Sequence, residues 1–344
     1  VPESRIGRLL LLALSVVALA ALPWWVDGLL GITWVRILSF AALYVILALG
    51  LNITVGYAGL LDLGYIAFFA VGAYTYALLS SPQFGLHWPL WATLPLSATA
   101  AGVFGLLLGT PLLRLRGDYL AIVTLGFGEI TRIFINNLNA PVNITNGPQG
   151  VNQIDALRIA GLDLSQALQF GGVQVPAAYL PCLLFLFVAG LLAWACTRLQ
   201  ASRIGRAWQA IRQDPLAAAA CGIDLRRYKL LAFALGASAG GMAGGLFAGF
   251  QGFISPESFS LIESIMVLCM IVLGGMGHVP GVILGALILA TLPEALRALG
   301  PLQQALLGQV WVDPADLRML LFGLALVAMM LLRPAGLWPA GQAR

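Results

Sequence analysis

The chain has 344 residues, of which 60% are hydrophobic and 9% charged, with a formal charge of +4 and a mean hydropathy of +0.93. A soluble domain carries roughly a quarter charged residues, and 18 basic with 14 acidic side chains are too few to coat a water-soluble globule of this size. The composition excludes a disulfide-stapled secreted domain, a disordered tail and a cytosolic enzyme, and leaves an all-α, polytopic helical membrane protein whose main solvent is lipid.

A helix that crosses the hydrocarbon needs about 20 mostly apolar residues. Ten stretches meet that ruler, at about 9–26, 33–51, 64–80, 88–111, 119–138, 177–197, 228–250, 261–276, 281–298 and 317–332. The first starts with Arg5 and Arg8 and passes Ala18-Leu19-Ala20, a pattern like a signal-peptide cleavage site,. Its apolar run continues through Trp24, Trp25 and Val26, so it reads as an uncleaved span ending in an aromatic belt,. The Gly/Pro cluster from Gly274 to Gly281 splits two late spans and reads as a tight reversal,. Stretches 56–73 and 275–286 share a glycine series closed by Gly72-Ala73 and Gly285-Ala286. Such likeness suits two related halves, although Gly-rich membrane helices also look alike by composition alone.

Arginine placement orients the chain. With the N-terminus inside, thirteen basic residues fall on cytoplasmic segments and four (Arg36, Arg158, Arg297 and Arg318) outside, while Arg132 lies within a span. Both termini are therefore expected in the cytoplasm. The chain reads as one transmembrane domain over 1–344, with a main outer loop at 139–176 and a main cytoplasmic loop at 198–227.

Several chemistries are missing from the sequence. Lys229 is the only lysine, with no glycine loop before it and no hydroxyl after it, so there is no phosphate-binding P-loop,. No G-x-S-x-G elbow or H-E-x-x-H helix occurs,. Cys182, Cys196, Cys221 and Cys269 lack paired spacing, and His87 and His278 stand far apart, so neither a metal site nor a bound cofactor is expected and each cysteine reads as a small apolar filler,. The basic residues are dispersed over short loops, which argues against nucleic acid as a partner.

The inner loop writes two short helices. The first, about 204–212, places Ile204, Ala207 or Trp208, and Ile211 on one face and arginines on others,. In the second, Asp214 reads as the N-cap, Pro215 as the first helical residue, the alanines as the body and Gly222 as the left-handed stop,. Physics leaves two readings open: a lever inserted into another protein, or a connector lying on anionic lipid.

Gly205-Arg206-Ala207 followed by Asp214-Pro215-Leu216-Ala217-Ala218 and Gly222-Ile223 resembles the Glu-Ala-Ala loop of ABC importer permeases, which docks on ATPase subunits. Gly56-Tyr57-Ala58-Gly59-Leu60-Leu61-Asp62-Leu63-Gly64, then Ala67-Phe68 and Gly72-Ala73-Tyr74, resembles an early block of branched-chain amino-acid permeases. The run from Arg114 to Phe127, and Asn143 to Gly150, are similar to the M-type subunit of that system. Leu216 departs from the pattern by standing where the name-giving Glu of the loop belongs. The resemblance implies the ABC importer permease fold in a bacterial inner membrane, with two ATPase subunits carrying ATP and magnesium, a second paralogous permease, and a periplasmic binding protein for leucine, isoleucine and valine. It also implies ATPase coupling through Gly205, Arg206, Ala207, Asp214, Pro215, Ala217, Ala218 and Gly222. Rival readings are a permease for urea or an amide, an ion-coupled carrier working alone, and a membrane scaffold.

Charged groups at membrane depth are costly, about 2.5–3.5 kcal/mol on insertion scales. Glu129, Arg132 and Asn136 share one helical face, expected to point into the bundle either as a fastening ion pair or as a border of the translocation route,. Asn52, Gly56, Gly59 and Gly64 interrupt the apolar pattern around Asp62, as in a broken helix that aims N–H groups at a carboxylate ligand, or as a close approach of helices,. Glu263 reads as a helix-start carboxylate within reach of an outer partner, and Asp155, Arg158 and Asp163 as solvated loop charges,.

Overall fold

A computed structural model describes residues 21–112, 115, 117–140, 143–159, 162–170 and 173–297, with short stretches at 320, 323–324, 327–328, 331–333 and 336–338. Most of the expected first and last spans, together with Arg5, Arg8, Arg114, Arg116, Arg318 and Arg344, lies outside the described residues. The other eight expected spans all appear as helices: α1 (Ile32–Leu51), α2 (Ile66–Leu79), α3 (Leu90–Leu112), α4 (Asp118–Asn137), α5 (Tyr179–Ala201), α8 (Leu225–Gln251), α9 (Leu261–Gly274) and α10 (Val279–Arg297). Two short helices, α6 (Arg203–Gln213) and α7 (Pro215–Ala220), sit between α5 and α8. Among the described residues, seven helical stretches are long and apolar enough to cross a membrane, and α2 is shorter.

α1 continues into a π-helical turn, Asn52–Tyr57. An irregular segment, 58–65, then carries the chain back into the bundle before α2 begins. Together these two pieces explain why α2 needs only 14 residues. Part of the depth is crossed by backbone that is not helical, which lipid permits only where protein surrounds it.

α8 is the central post, packed against α1, α2 and α3. Between helices in lipid no hydrophobic force operates, so close van der Waals approach must hold them together. The sequence answers with small residues. A Cβ on Gly72 of α2 would collide with the Gly241 carbonyl of α8, and one on Gly244 with the Phe69 carbonyl. Tyr65 donates its hydroxyl proton to the Gly236 carbonyl at 3.1 Å across the same seam.

The end bearing the arginine-rich loop is here termed the inner end, and the opposite one the outer end. At the outer end β1 (Val151–Asn152) pairs antiparallel with β6 (Phe253–Ile254), β2 (Arg158–Ile159) with β3 (Leu162–Asp163), and β4 (Leu168–Phe170) with β5 (Val173–Val175). Residues 337–338 lie at the inner end, where the Leu337 and Trp338 amides donate to the Leu273 and Gly274 carbonyls.

Gly72→Ala is expected to destabilise the bundle by about 1–3 kcal/mol through overpacking, read as a lower unfolding temperature in detergent. Gly190→Ala on α5, where a Cβ meets nothing within 4 Å, is expected to leave that temperature unchanged or raise it, since Ala favours helix over Gly.

Candidate functional site

The inner-end segment is built as two capped helices at an angle. Ser202 caps α6, its hydroxyl accepting from the Gly205 amide at 3.3 Å. The apolar face of α6 turns inward as the spacing requires: Ile211 is buried and Trp208 wholly so. The Trp208 indole donates to the Tyr228 carbonyl at 2.7 Å and stacks on Tyr57 of the π turn at 6.4 Å. Asp214 then breaks the chain direction with extended backbone, and its carboxylate accepts from the Leu216 and Ala217 amides at 2.8 and 3.2 Å. Gly222, at φ 84°, ends the segment in the left-handed region,. Asp224 caps α8 by accepting from the Arg227 amide.

The resemblance-derived residues divide into two groups. Gly205, Ala207 and Ala218 are buried and serve the seating of the helices; a Cβ on Gly205 would strike the Leu199 and Gln200 carbonyls. Arg206, Asp214, Pro215, Ala217 and Gly222 are exposed. Leu216, in place of the family Glu, is 71% exposed at the tip of α7. This large apolar side chain stands in the open at a cleft of about 1080 Å³ lined also by Gly59, Leu61, Thr110, Arg212 and Arg226.

The irregular segment 58–65 is held at depth by side-chain hydrogen bonds to its backbone. Thr124 of α4 accepts from the Leu63 amide at 3.0 Å, and the Ser264 hydroxyl of α9 donates to the Leu63 carbonyl at 2.6 Å. Gly64 admits α4, since a Cβ there would overlap the Thr124 carbonyl. The break in the helix and the close approach of helices, two readings of one glycine pattern, coexist. Asp62 is buried; one carboxylate oxygen accepts from the Gly64 amide at 3.0 Å, and the other has no partner among the described residues.

Glu129 and Arg132 do pair, the Arg132 Nε donating to both carboxylate oxygens at 3.1 Å. The expectation that their face points into the bundle needs correcting. Side chains of Arg132 and Glu129 remain 29% and 41% exposed, and Asn136 is half-buried. They run along the flank of α4, between its buried face (Thr124, Gly128) and a bare apolar face with Tyr119, Ile122, Ile130 and Ile133. Asp62 lies on the segment that packs against the buried face of α4, so the four polar residues do not form one cluster. A pair three residues apart on one helix neutralises itself locally and needs no partner helix to cover it.

At the outer end the loop charges prove to be paired rather than merely solvated. Asp155 meets His87, and Arg158 meets Asp163 at 3.7 Å. The Ser165 hydroxyl bonded to Asp163, followed by its amide and Arg158, holds the Asp163 carboxyl below the usual range. Glu263 accepts from the Tyr44 hydroxyl at 2.9 Å. Cys182, Cys196 and Cys269 are buried as expected of fillers; the same expectation for Cys221 needs correcting, since it is exposed at the end of the alanine helix α7. No group of His, Cys, Asp and Glu able to hold a metal ion occurs among the described residues. Sequence reasoning missed Arg212, whose guanidinium reaches from the end of α6 to the Gly56 carbonyl.

Among the described residues, seven helical stretches long and apolar enough to cross a membrane define the class: a multi-pass membrane protein. Residues 33–330 match the family described as branched-chain amino acid transport system / permease component, and the chain belongs to it. It is 42% identical to the high-affinity branched-chain amino acid transport system permease protein LivM of Escherichia coli (strain K12), over 96% of this chain and 75% of that protein. A probable branched-chain amino acid transport permease protein LivM of Methanocaldococcus jannaschii is 25% identical, over 88% of this chain and 92% of its own length. The E. coli permease protein LivH of the same transport system is 37% identical over 97 residues, 28% of this chain and 31% of that protein. No solved structure matches.

Trp208→Ala is expected to cost about 3–5 kcal/mol of local stability, seen as protease cleavage within 198–227 at concentrations that leave the parent chain intact.

Proposed function

We propose that this chain is the inner-membrane permease subunit of an ATP-driven importer that carries leucine, isoleucine and valine into the cell. ATP and magnesium are bound by two partner ATPase subunits, which push on α6 and α7; a second, paralogous permease completes the pathway, and a periplasmic binding protein delivers the substrate. The observation that carries the mechanism is α7: a helix capped at both ends by Asp214 and Gly222, seated by Ala218 and tipped by the exposed Leu216. Membership of the branched-chain amino acid permease family supports the substrate class, and likeness to both LivM and LivH supports pairing of two permeases. The sequence itself contains no P-loop, so the energy must come from elsewhere,.

Within this reading the ATPase contact falls to Arg206, Asp214, Pro215, Leu216, Ala217 and Gly222, with Gly205, Ala207 and Ala218 fastening the segment from behind. Asp62, Glu129, Arg132 and Asn136 are assigned to the substrate path, Asp62 at the helix break and the other three along the flank of α4.

Cells depleted of ATP at constant membrane potential are expected to lose uptake of labelled leucine; uptake that persists under an imposed ion gradient overturns the reading in favour of a secondary carrier. Leu216→Arg is expected to abolish co-purification of the ATPase subunits while leaving the unfolding temperature of the permease unchanged. Arg132→Met is expected to lower uptake by about tenfold, the scale of one charged interaction, at unchanged membrane abundance; full uptake removes Arg132 from the path.

A further inference from the structure

Trp208 and Arg212 stand four residues apart, on one face of α6, and both grip the same short piece of chain. Trp208 stacks on Tyr57. Arg212 lays its aliphatic stem over Gly59, where a Cβ would come within 2.8 Å of its Cγ, and donates to the carbonyl of Gly56. That carbonyl belongs to the π turn and is buried, so it requires a donor. A third piece of chain meets the same point. The Gly277 amide donates to Asn52 Oδ1 at 2.9 Å, and Gln200 Nε2 donates to the Gly277 carbonyl at 3.2 Å. Gly56 and Gly277 are so close that a Cβ on Gly56 would lie 2.8 Å from the Gly277 nitrogen, and one on Gly277 would lie 3.2 Å from Arg212 Nη1.

Two further facts distinguish this contact from ordinary packing. Arg212 is two residues from Asp214, the cap of α7, so a displacement of α7 has a single intervening residue through which to reach it. Arg212 also lines the open inner cleft and is exposed as a residue, so its side chain can shift toward the cleft without opening the core. On the other side, the π turn leads directly into segment 58–65 and the buried Asp62.

We propose that Arg212 is the positioning residue that transmits displacement of α7 to the π turn at Gly56 and so to the irregular segment 58–65. With α7 at rest, the guanidinium holds residues 56–59 in the arrangement seen here. When α7 is pushed, the guanidinium moves with it, and the π turn is drawn along or released. One guanidinium nitrogen, Nη1, both donates to the Gly56 carbonyl and lies beside Gly277, so the two pieces of chain meet at a single charged donor. The inference rests on α7 being the element that the ATPases push.

The test uses the assembled transporter in liposomes, with this chain, its ATPase and permease partners and the binding protein, comparing Arg212→Ala and Arg212→Lys with the parent. Leucine moved per ATP hydrolysed is expected to fall by about tenfold or more in Arg212→Ala, the scale of one charge-assisted hydrogen bond. Subunit stoichiometry is expected to be unchanged, ATP hydrolysis to stay within about twofold, and Arg212→Lys to recover part of the coupling. Unchanged transport per ATP in Arg212→Ala overturns the proposal. So does a parallel loss of transport, hydrolysis and assembly in both variants, which makes Arg212 a folding residue. Failure of the parent chain to assemble with ATPases is a separate outcome: it sinks the coupling reading of α7, and this proposal with it.

Discussion

In a solvent of lipid tails, apolar side chains gain nothing by leaving the solvent for one another, and helices hold together only as far as their atoms can approach. The glycines of α8 set that approach. Because Gly241 and Gly244 bring α8 against the backbone of α2, α2 can be short, its missing length can be made up by irregular chain, and most of that chain can be buried in protein, with Gly59 and Leu61 left at the inner cleft. A bulkier seam would open the enclosure, and the backbone groups of 58–65 would then face hydrocarbon without partners.

The same logic links the depth of the bundle to its inner end. The π turn leaves a carbonyl at Gly56 that no helical amide claims, and the chain answers it from α6. One helix thus has two duties: its buried face, through Trp208, fixes the loop to the spans, and its last turn presents Asp214 as the start of α7. The exposed residues of the segment face solvent and the inner cleft, and the buried ones tie it to the spans. Under the proposed coupling, a motif whose members point both inward and outward suits a lever, since a contact on a loose loop would move only the loop.

How much of this was legible follows from the range of each interaction. Spans were readable because lipid thickness imposes a length on a single segment, whatever its neighbours do. The caps at Asp214 and Gly222 were readable because both are satisfied within three or four residues. The Glu129–Arg132 pair was readable from spacing, but its exposure was not, because that depends on which neighbours pack against α4. Glycines around Asp62 signalled a break without its form: the π geometry depends on Gly277 and Arg212, more than 150 positions away in sequence. Arg212 was counted only as one more inner charge. The outer pairings, two or three residues each, carry no periodic signal at all.

Cys221 closes α7, and of the four thiols in the chain it alone reaches the surface. A single chemical handle thereby stands at the end of α7. A maleimide dye applied to the unaltered polypeptide marks that spot and no other, which makes any displacement of α7 observable without engineering a single residue.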